Sequence, residues 1–303
     1  MVAVELLRSQ PGPVGSAPVA PPPATTTTGV EDGRIPTPTN PGYPSPPPGA
    51  VVLAREAGTR VLALAVVPGG ARPLTRVSVV NGQGAGQGGL DVAVAGTGLE
   101  ACGAGCYQGN VAAGRLSGTV EVSLDHRAYP FQLPPSLHLR SGAATMARAT
   151  RVWRALKTLV WHERLAASPT DALHTVYRAV SPDQLAYTIA GRSSAIIIGE
   201  KRWDRPAPTS QWVESPQQPP ISQPLPFWAA VTNARVLGDG EVRGKPVWIV
   251  SFFDPQTPAW FTAHVEKATG RTLTLDMTAA AHFMHHVYGP FDAPFELHPP
   301  PAA

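Results

Sequence analysis

Short runs in which apolar and polar residues alternate, each closed by glycine or proline, recur along this 303-residue chain and limit what it can fold into. Arg76–Val80, Leu90–Val94 and Gly118–Leu124 alternate with a period of two, and the valine-rich run Val61–Val67 stops at Pro68-Gly69-Gly70. A period of two sends successive side chains to opposite faces, so each run is a strand with one face to bury. Short strands with turn signals between them build sandwiches and curved antiparallel sheets. One stretch breaks the pattern. In Gly142–Val160, Met146, Ala149, Val152, Trp153, Leu156 and Leu159 recur at three- and four-residue spacing, which predicts a helix. Strands are expected after it at 161–167, 173–180, 184–190, 194–203, 236–237, 242–253, 260–266, 272–277 and 280–288. Gly238-Asp239-Gly240 and Lys267–Arg271 are expected as hairpin turns.

Proline divides the chain. Residues 1–49 hold Pro21-Pro22-Pro23, Thr25–Thr28 and Pro46-Pro47-Pro48 and almost no large apolar side chains. Such a segment cannot bury enough surface to offset its ordering entropy, so it is expected to be a disordered, extended spacer. The fold class that follows is mainly β, in two domains. Residues 50–135 are expected to form a β-sandwich, and 136–298 an α+β curved antiparallel sheet with a helix over one face, followed by a tail at 299–303.

Composition excludes several functions. The chain is 43% apolar and 15% charged, with a net charge of +3 and no Lys/Arg cluster interleaved with aromatics, so no nucleic-acid partner is expected. No segment reaches the ~20 apolar residues of a membrane span. Met1–Leu7 carries Glu5 and runs straight into proline, so no signal peptide is expected there; the expectation is either an export segment or anchor upstream or, with nothing upstream, a cytoplasmic protein with a disordered tail. Gly84-Ala85-Gly86-Gln87-Gly88-Gly89 satisfies the dinucleotide spacing G-x-G-x-x-G, but a strand pattern follows it where a helix is required, so it reads as a hairpin loop. Glu163, Asp183, Glu200, Asp204, Asp254 and Asp276 are scattered. There is no Gly-x-Ser-x-Gly elbow, His-Glu-x-x-His or P-loop, and the chain is not expected to be an enzyme.

Two constellations carry chemistry. Cys102 and Cys106 close Cys-Gly-Ala-Gly-Cys, a spacing open to a disulfide, to metal thiolates or to free thiols, with the disulfide expected. The run Asp276–Tyr288 gathers three histidines and two methionines. If Ala280–Tyr288 is a strand, His282, Met284 and His286 share a face and offer imidazole and thioether to copper. If it is helical, His282, His285 and His286 align instead, which suits zinc. The alternative to both is a lining in which these side chains simply pack.

Two resemblances sharpen the picture. The helix, the strand containing Glu163, the run Ile196–Trp203, the aromatic Trp212, the stretch Gly238–Asp254 and the turn Val265–Leu273 together resemble the LolA-like lipoprotein carriers, including the LppX/LprG group. That resemblance implies a half-barrel with a helical lid over an apolar cavity. On it, Trp153, Trp203, Trp212, Trp248, Phe252, Trp260 and Phe283 are the expected cavity lining, and a lipid or other hydrophobic small molecule is the expected ligand. Cys102–Tyr107, Arg202–Arg205, Asp254–Phe261 and His282–Met284 resemble the extracytoplasmic tails of copper-resistance D-type membrane proteins, with a CopC/YtkA-like, immunoglobulin-type sandwich. That resemblance implies copper as a candidate cofactor, a membrane transporter as partner, and an extracytoplasmic place, tethered or within a larger membrane protein. The chain lacks the transporter's helices and the N-terminal histidine of CopC-type sites. The leading expectation is a non-catalytic module that holds an apolar ligand. The runners-up are a copper-binding accessory and a structural interaction module.

Overall fold

A computed structural model describes residues 44–168 and 170–301. The first part carries strands β1 (Val51–Ala57), β2 (Arg60–Val67), β3 (Leu74–Val80), β4 (Val92–Val94) and β5 (Thr97–Gly98). It continues with β6 (Glu100–Gly103), β7 (Cys106–Asn110), β8 (Gly118–Leu124) and β9 (Arg127–Leu133). They form a five-stranded sheet ordered β1-β2-β3-β7-β6 and a four-stranded sheet ordered β5-β4-β8-β9. Leu62, Leu64, Val77 and Val79 of the first sheet pack with Val92, Val120, Val122 and Phe131 of the second, closing the sandwich. Cys102 and Cys106 are joined in a disulfide across the β6–β7 hairpin. Gly105 in that hairpin has φ +67, and a Cβ there would lie 2.5 Å from the Cα of Gly86. The glycines of the G-x-G-x-x-G run therefore let two loops touch backbone to backbone, and the next regular element is β4.

Helix α1 (Ala143–Arg154) opens the second part. It is shorter than its periodicity predicted. Leu156 is buried in the turn behind the helix, and Leu159 already belongs to a strand. Thr158 and Val160 are β-branched and pair along the neighbouring strand, so tertiary pairing overrides the helical spacing. The strands are β10 (Thr158–Ser168), β11 (Asp171–Val180), β12 (Gln184–Ile189), β13 (Ser194–Ile198), β14 (Lys201–Arg205) and β15 (Val213–Pro216). Then come β16 (Thr232–Val242), β17 (Lys245–Asp254), β18 (Ala259–Glu266), β19 (Thr272–Ala279) and β20 (His282–Phe291). All pair in one antiparallel sheet of eleven strands. Two meanders, β10 to β15 and β16 to β20, are sewn together where β10 meets β20, leaving β15 and β16 as the edges.

Two turns differ from the sequence reading. The expected strand 194–203 is a hairpin that turns at Gly199, φ +59. Gly238-Asp239-Gly240 is not a turn: β16 runs through it with a register shift at Val236/Gly238, and the chain reverses at Arg243-Gly244, both at positive φ. The first glycine marks a bulge, and the reversal uses the backbone that two-residue hairpins require.

The sheets are stacked in layers. One face of the five-stranded sheet closes the sandwich. From its other face Val52, Val61 and Ala63 pack on Ala166, Phe253, Trp260 and Phe283, which lie on the outer face of the large sheet. The end of the proline-rich spacer joins this contact. Pro47 O accepts from Asn233 Nδ2 at 2.6 Å, Gly49 O accepts from the Arg235 guanidinium at 2.8 Å, and Ser45 O accepts from Arg76 at 3.0 Å. Residues 44–49 are thus bound to both sheet systems and are not a free spacer. The expectation for residues 1–43 lies outside the described residues, as does that for residues 302–303 of the tail.

Candidate functional site

Alternation along β10 and β20 decides what faces the inside of the large sheet. Trp161, Glu163 and Leu165 project inward from β10, and His282, Met284, His286 and Tyr288 from β20. Glu163 and His286 are directly opposed across the β10–β20 seam. Both are sealed from solvent, at 4% and 0% exposure. His286 Nε2 lies 2.7 Å from Glu163 Oε2, His286 Nδ1 lies 2.7 Å from the Tyr288 hydroxyl, and the Tyr177 hydroxyl donates to Glu163 Oε1 at 3.2 Å. Burial, and then the negative charge of Glu163, push both phenols well above their ordinary value, so each keeps its proton. Each ring nitrogen of His286 therefore has a polar partner, the Tyr288 hydroxyl at Nδ1 and the Glu163 carboxylate at Nε2. The four groups form one chain in which every member has a partner.

Aromatic side chains wall this chain. Trp161 stacks on Tyr177 at 4.6 Å, Phe227 meets His286 edge-on at 4.3 Å, and Trp153 meets Tyr288 edge-on at 4.7 Å. Trp153 and Trp161 are 2% and 4% exposed, and neither indole N–H has a hydrogen-bond acceptor. A buried donor without a partner costs about 1–3 kcal/mol.

The roof consists of α1 and the strap 217–231. Met146, Ala149 and Trp153 descend from the helix, and Ile221, Phe227 and Trp228 from the strap. Trp228 Nε1 donates to Thr150 Oγ1 at 2.9 Å, which ties the strap to the helix. The helix reaches the sheet through Gly142 N, which donates to Ala234 O at 2.8 Å. A Cβ on Gly142 would sit 2.7 Å from Val250 Cγ1, so only glycine allows this approach. Midway along the helix Arg148 donates to Lys267 O and Ala268 O.

The seven aromatics expected to line one cavity are divided between two faces. Trp153 and Phe252 are in the core beneath the roof, and Trp248 packs against it. Trp260 and Phe283 face the sandwich instead. Trp203 and Trp212 lie on the outer face near the β15 edge, where Trp203 Nε1 donates to Glu214 and Arg205 covers Trp212. Adjacent positions such as Phe252–Phe253 and Phe283–Met284 alternate faces, so an aromatic count could not have put them on one side. Beneath the roof Met146, Trp153, Ile221, Trp228 and Phe252 belong to one buried core.

The metal expectation also changes. His282, Met284 and His286 do share the inner face, as the strand reading required. However, both His286 nitrogens are engaged, His282 Nδ1 is within 3.1 Å of Ala280 O, and Met284 packs in the core. Among the described residues no three His, Cys, Asp or Glu side chains are placed to hold a metal. His285 points outward, to Asp276 at 2.7 Å, so the zinc alignment does not form. Sequence reasoning missed the Glu163–His286 pair because the two residues are 123 positions apart.

No family model matches the sequence, and no curated protein matches it. Among solved structures the chain is similar to LprF from Mycobacterium bovis, at 8% identity and TM-score 0.40, over 54% of this chain and 100% of that one. It is also similar to a LolA superfamily protein from Nitrosomonas europaea, at 9% identity and TM-score 0.24, over 52% and 96%. A DUF1329 family protein from Desulfovibrio piger is similar at 10% identity and TM-score 0.27, over 52% and 94%. These likenesses assign no family. Among the described residues no helix is long and apolar enough to cross a membrane.

Proposed function

We propose that the large sheet and its roof form a non-catalytic binding module for an apolar ligand, which enters by displacing the roof. One observation carries this reading: the aromatic inner face is covered by a helix and a strap, not by a second sheet. The strap is fastened to the helix through Trp228 and Thr150, so the two can lift as one body. A ligand would replace the contacts of Met146, Trp153, Phe227 and Trp228, at about 0.8 kcal/mol for each CH₂ it buries. The partnerless indole N–H groups of Trp153 and Trp161 suit an acceptor such as an ester or amide carbonyl at one end of that ligand. Beneath the roof, among the described residues, the Glu163–His286 pair is sealed and His286 is satisfied on both nitrogens.

The Cys102–Cys106 disulfide supports an extracytoplasmic location, where such bonds persist. A membrane-transporter partner rests on the resemblance alone; copper rests on it and on the His282, Met284 and His286 row, and the engagement of both His286 nitrogens speaks against that site. The test is mass spectrometry of the natively purified protein before and after organic extraction, with titration of the extracted protein by N-phenyl-1-naphthylamine, a neutral apolar dye. A co-purifying acyl lipid, or dye binding that Trp228→Ala alters, supports the module. A bare mass together with no dye uptake, in parent and variant alike, removes it and leaves a structural interaction module.

A further inference from the structure

The sandwich covers the outer face of the large sheet around β10 and β16 to β20, reaching β11 only at Ala172. Across β11 to β14 that face carries a groove of ≈ 550 Å³, a volume in the small-molecule range. It exists because Ala186, Thr188 and Ser194, neighbours on β12 and β13, are small where the surrounding side chains are long. Arg178 stands at one end, Arg205 and Trp212 at the other, and Leu297 of the C-terminal segment crosses the rim. Register places Arg178 in the row of Ala186 and Arg205 in the row of Ser194, so the two arginines are three strand spacings apart and two residues out of step, about 16 Å between Cα positions.

The charges are unbalanced in a telling way. Among the described residues Arg178 has no hydrogen-bond or ion-pair partner. Arg205 has no carboxylate partner: one guanidinium nitrogen donates to Ser194 Oγ at 3.4 Å, its plane covers Trp212 at 4.8 Å, and its Nε is buried without an acceptor. Because Ser194 Oγ accepts from Arg205, its own hydrogen is free to donate. The one acid on the rim, Glu296, is exposed, lies 3.8 Å from His298 and is out of ion-pair range of both arginines.

We propose that this groove is a second binding site, for a small soluble aromatic anion: an aryl carboxylate, sulfonate or phosphate ester. Arg205 and Ser194 take the anionic group, Trp212 and the apolar floor at Val176 and Ile196 take the ring, and Arg178 adds attraction from the far end. The site lies on the opposite face of the sheet from the roofed interior, so it does not depend on the function proposed above.

The test pairs two dyes of one skeleton on the full chain. 8-Anilino-1-naphthalenesulfonate carries the anion, and N-phenyl-1-naphthylamine lacks it. The combined variant Arg178→Gln/Arg205→Gln is expected to weaken the sulfonate dye by tenfold or more, on the order of losing one charged hydrogen bond, and to leave the neutral dye unchanged. Arg205→Lys, which keeps charge but not the fork, is expected to recover part of the loss. Should the combined variant fail to fold, raised ionic strength on the parent protein provides the same contrast, weakening only the anionic dye. Equal effects on both dyes, or none on the sulfonate, overturn the proposal.

Discussion

Replacing His286 by leucine tests the internal hydrogen-bond chain directly. The substitution nearly preserves volume, but it strands Glu163 at 4% exposure with no imidazole and removes the ring partner of the Tyr288 hydroxyl. Breaking one side of a buried charged pair costs about 4 kcal/mol, and the stranded phenol adds about 1 kcal/mol. At a urea slope of about 2 kcal/mol/M the midpoint falls by roughly 2.5 M. The double variant Glu163→Leu/His286→Leu removes the charge itself and leaves the Tyr288 hydroxyl without its partner, while Tyr177 keeps its hydrogen bond with Thr175, a cost of about 1–3 kcal/mol. It is therefore expected to be more stable than His286→Leu alone, with a coupling energy of at least about 2 kcal/mol. All seven tryptophans lie at or beyond Trp153, so their fluorescence follows the large sheet and its roof and not the sandwich. A His286→Leu cost below about 1 kcal/mol, or a double variant whose loss equals the sum of the singles, would refute the reasoning.

Three further outcomes follow from local geometry. His285 is raised above its ordinary value, chiefly by its hydrogen bond to Asp276, while burial lowers His264 on the same face. In an NMR titration His264 gives up its proton at lower pH than His285, and Asp276→Asn brings His285 down. The sign is fixed: the His285–Asp276 contribution is fully present below the unfolded histidine value and is lost as pH rises through the folded one, so stability that increased across that window would contradict the pair. Gly142→Ala forces a methyl to within 2.7 Å of Val250 and should cost about 1–3 kcal/mol, read as a lowered denaturation midpoint; an unchanged midpoint would show that the start of the roof helix is not tightly seated. Replacing Cys102 and Cys106 by serine opens a loop of sequence separation 4, for which chain entropy gives about 2 kcal/mol, measurable by calorimetry of the sandwich transition.

Alternation and turn chemistry are local, and they were legible. The period-two runs, the helix near Met146–Trp153 and the turn at Lys267–Arg271 all follow from residues within a few positions of one another. Where local signals competed, the sequence misled. Leu156 and Leu159 continued the helical spacing, but pairing of Thr158 with Val180 drew the chain into β10. Gly238 and Gly240 imitated a turn, but the neighbouring strand needed their backbone for a bulge.

By itself the sequence determined that this is a mainly antiparallel β protein with one covering helix and a single-faced row of His282, Met284 and His286 if their segment is a strand, while it made the Cys102–Cys106 disulfide an expectation that the structure then closed. Only the tertiary structure decided what that row touches. Glu163 reaches His286 across the seam between two meanders and takes the nitrogen a metal would have needed. The docking of the sandwich turned Trp260 and Phe283 away from the interior. The physical reason is range: strand period and turn preference act over two to five residues, whereas strand order and layer packing join residues more than a hundred apart, and no local pattern encodes which strands will meet.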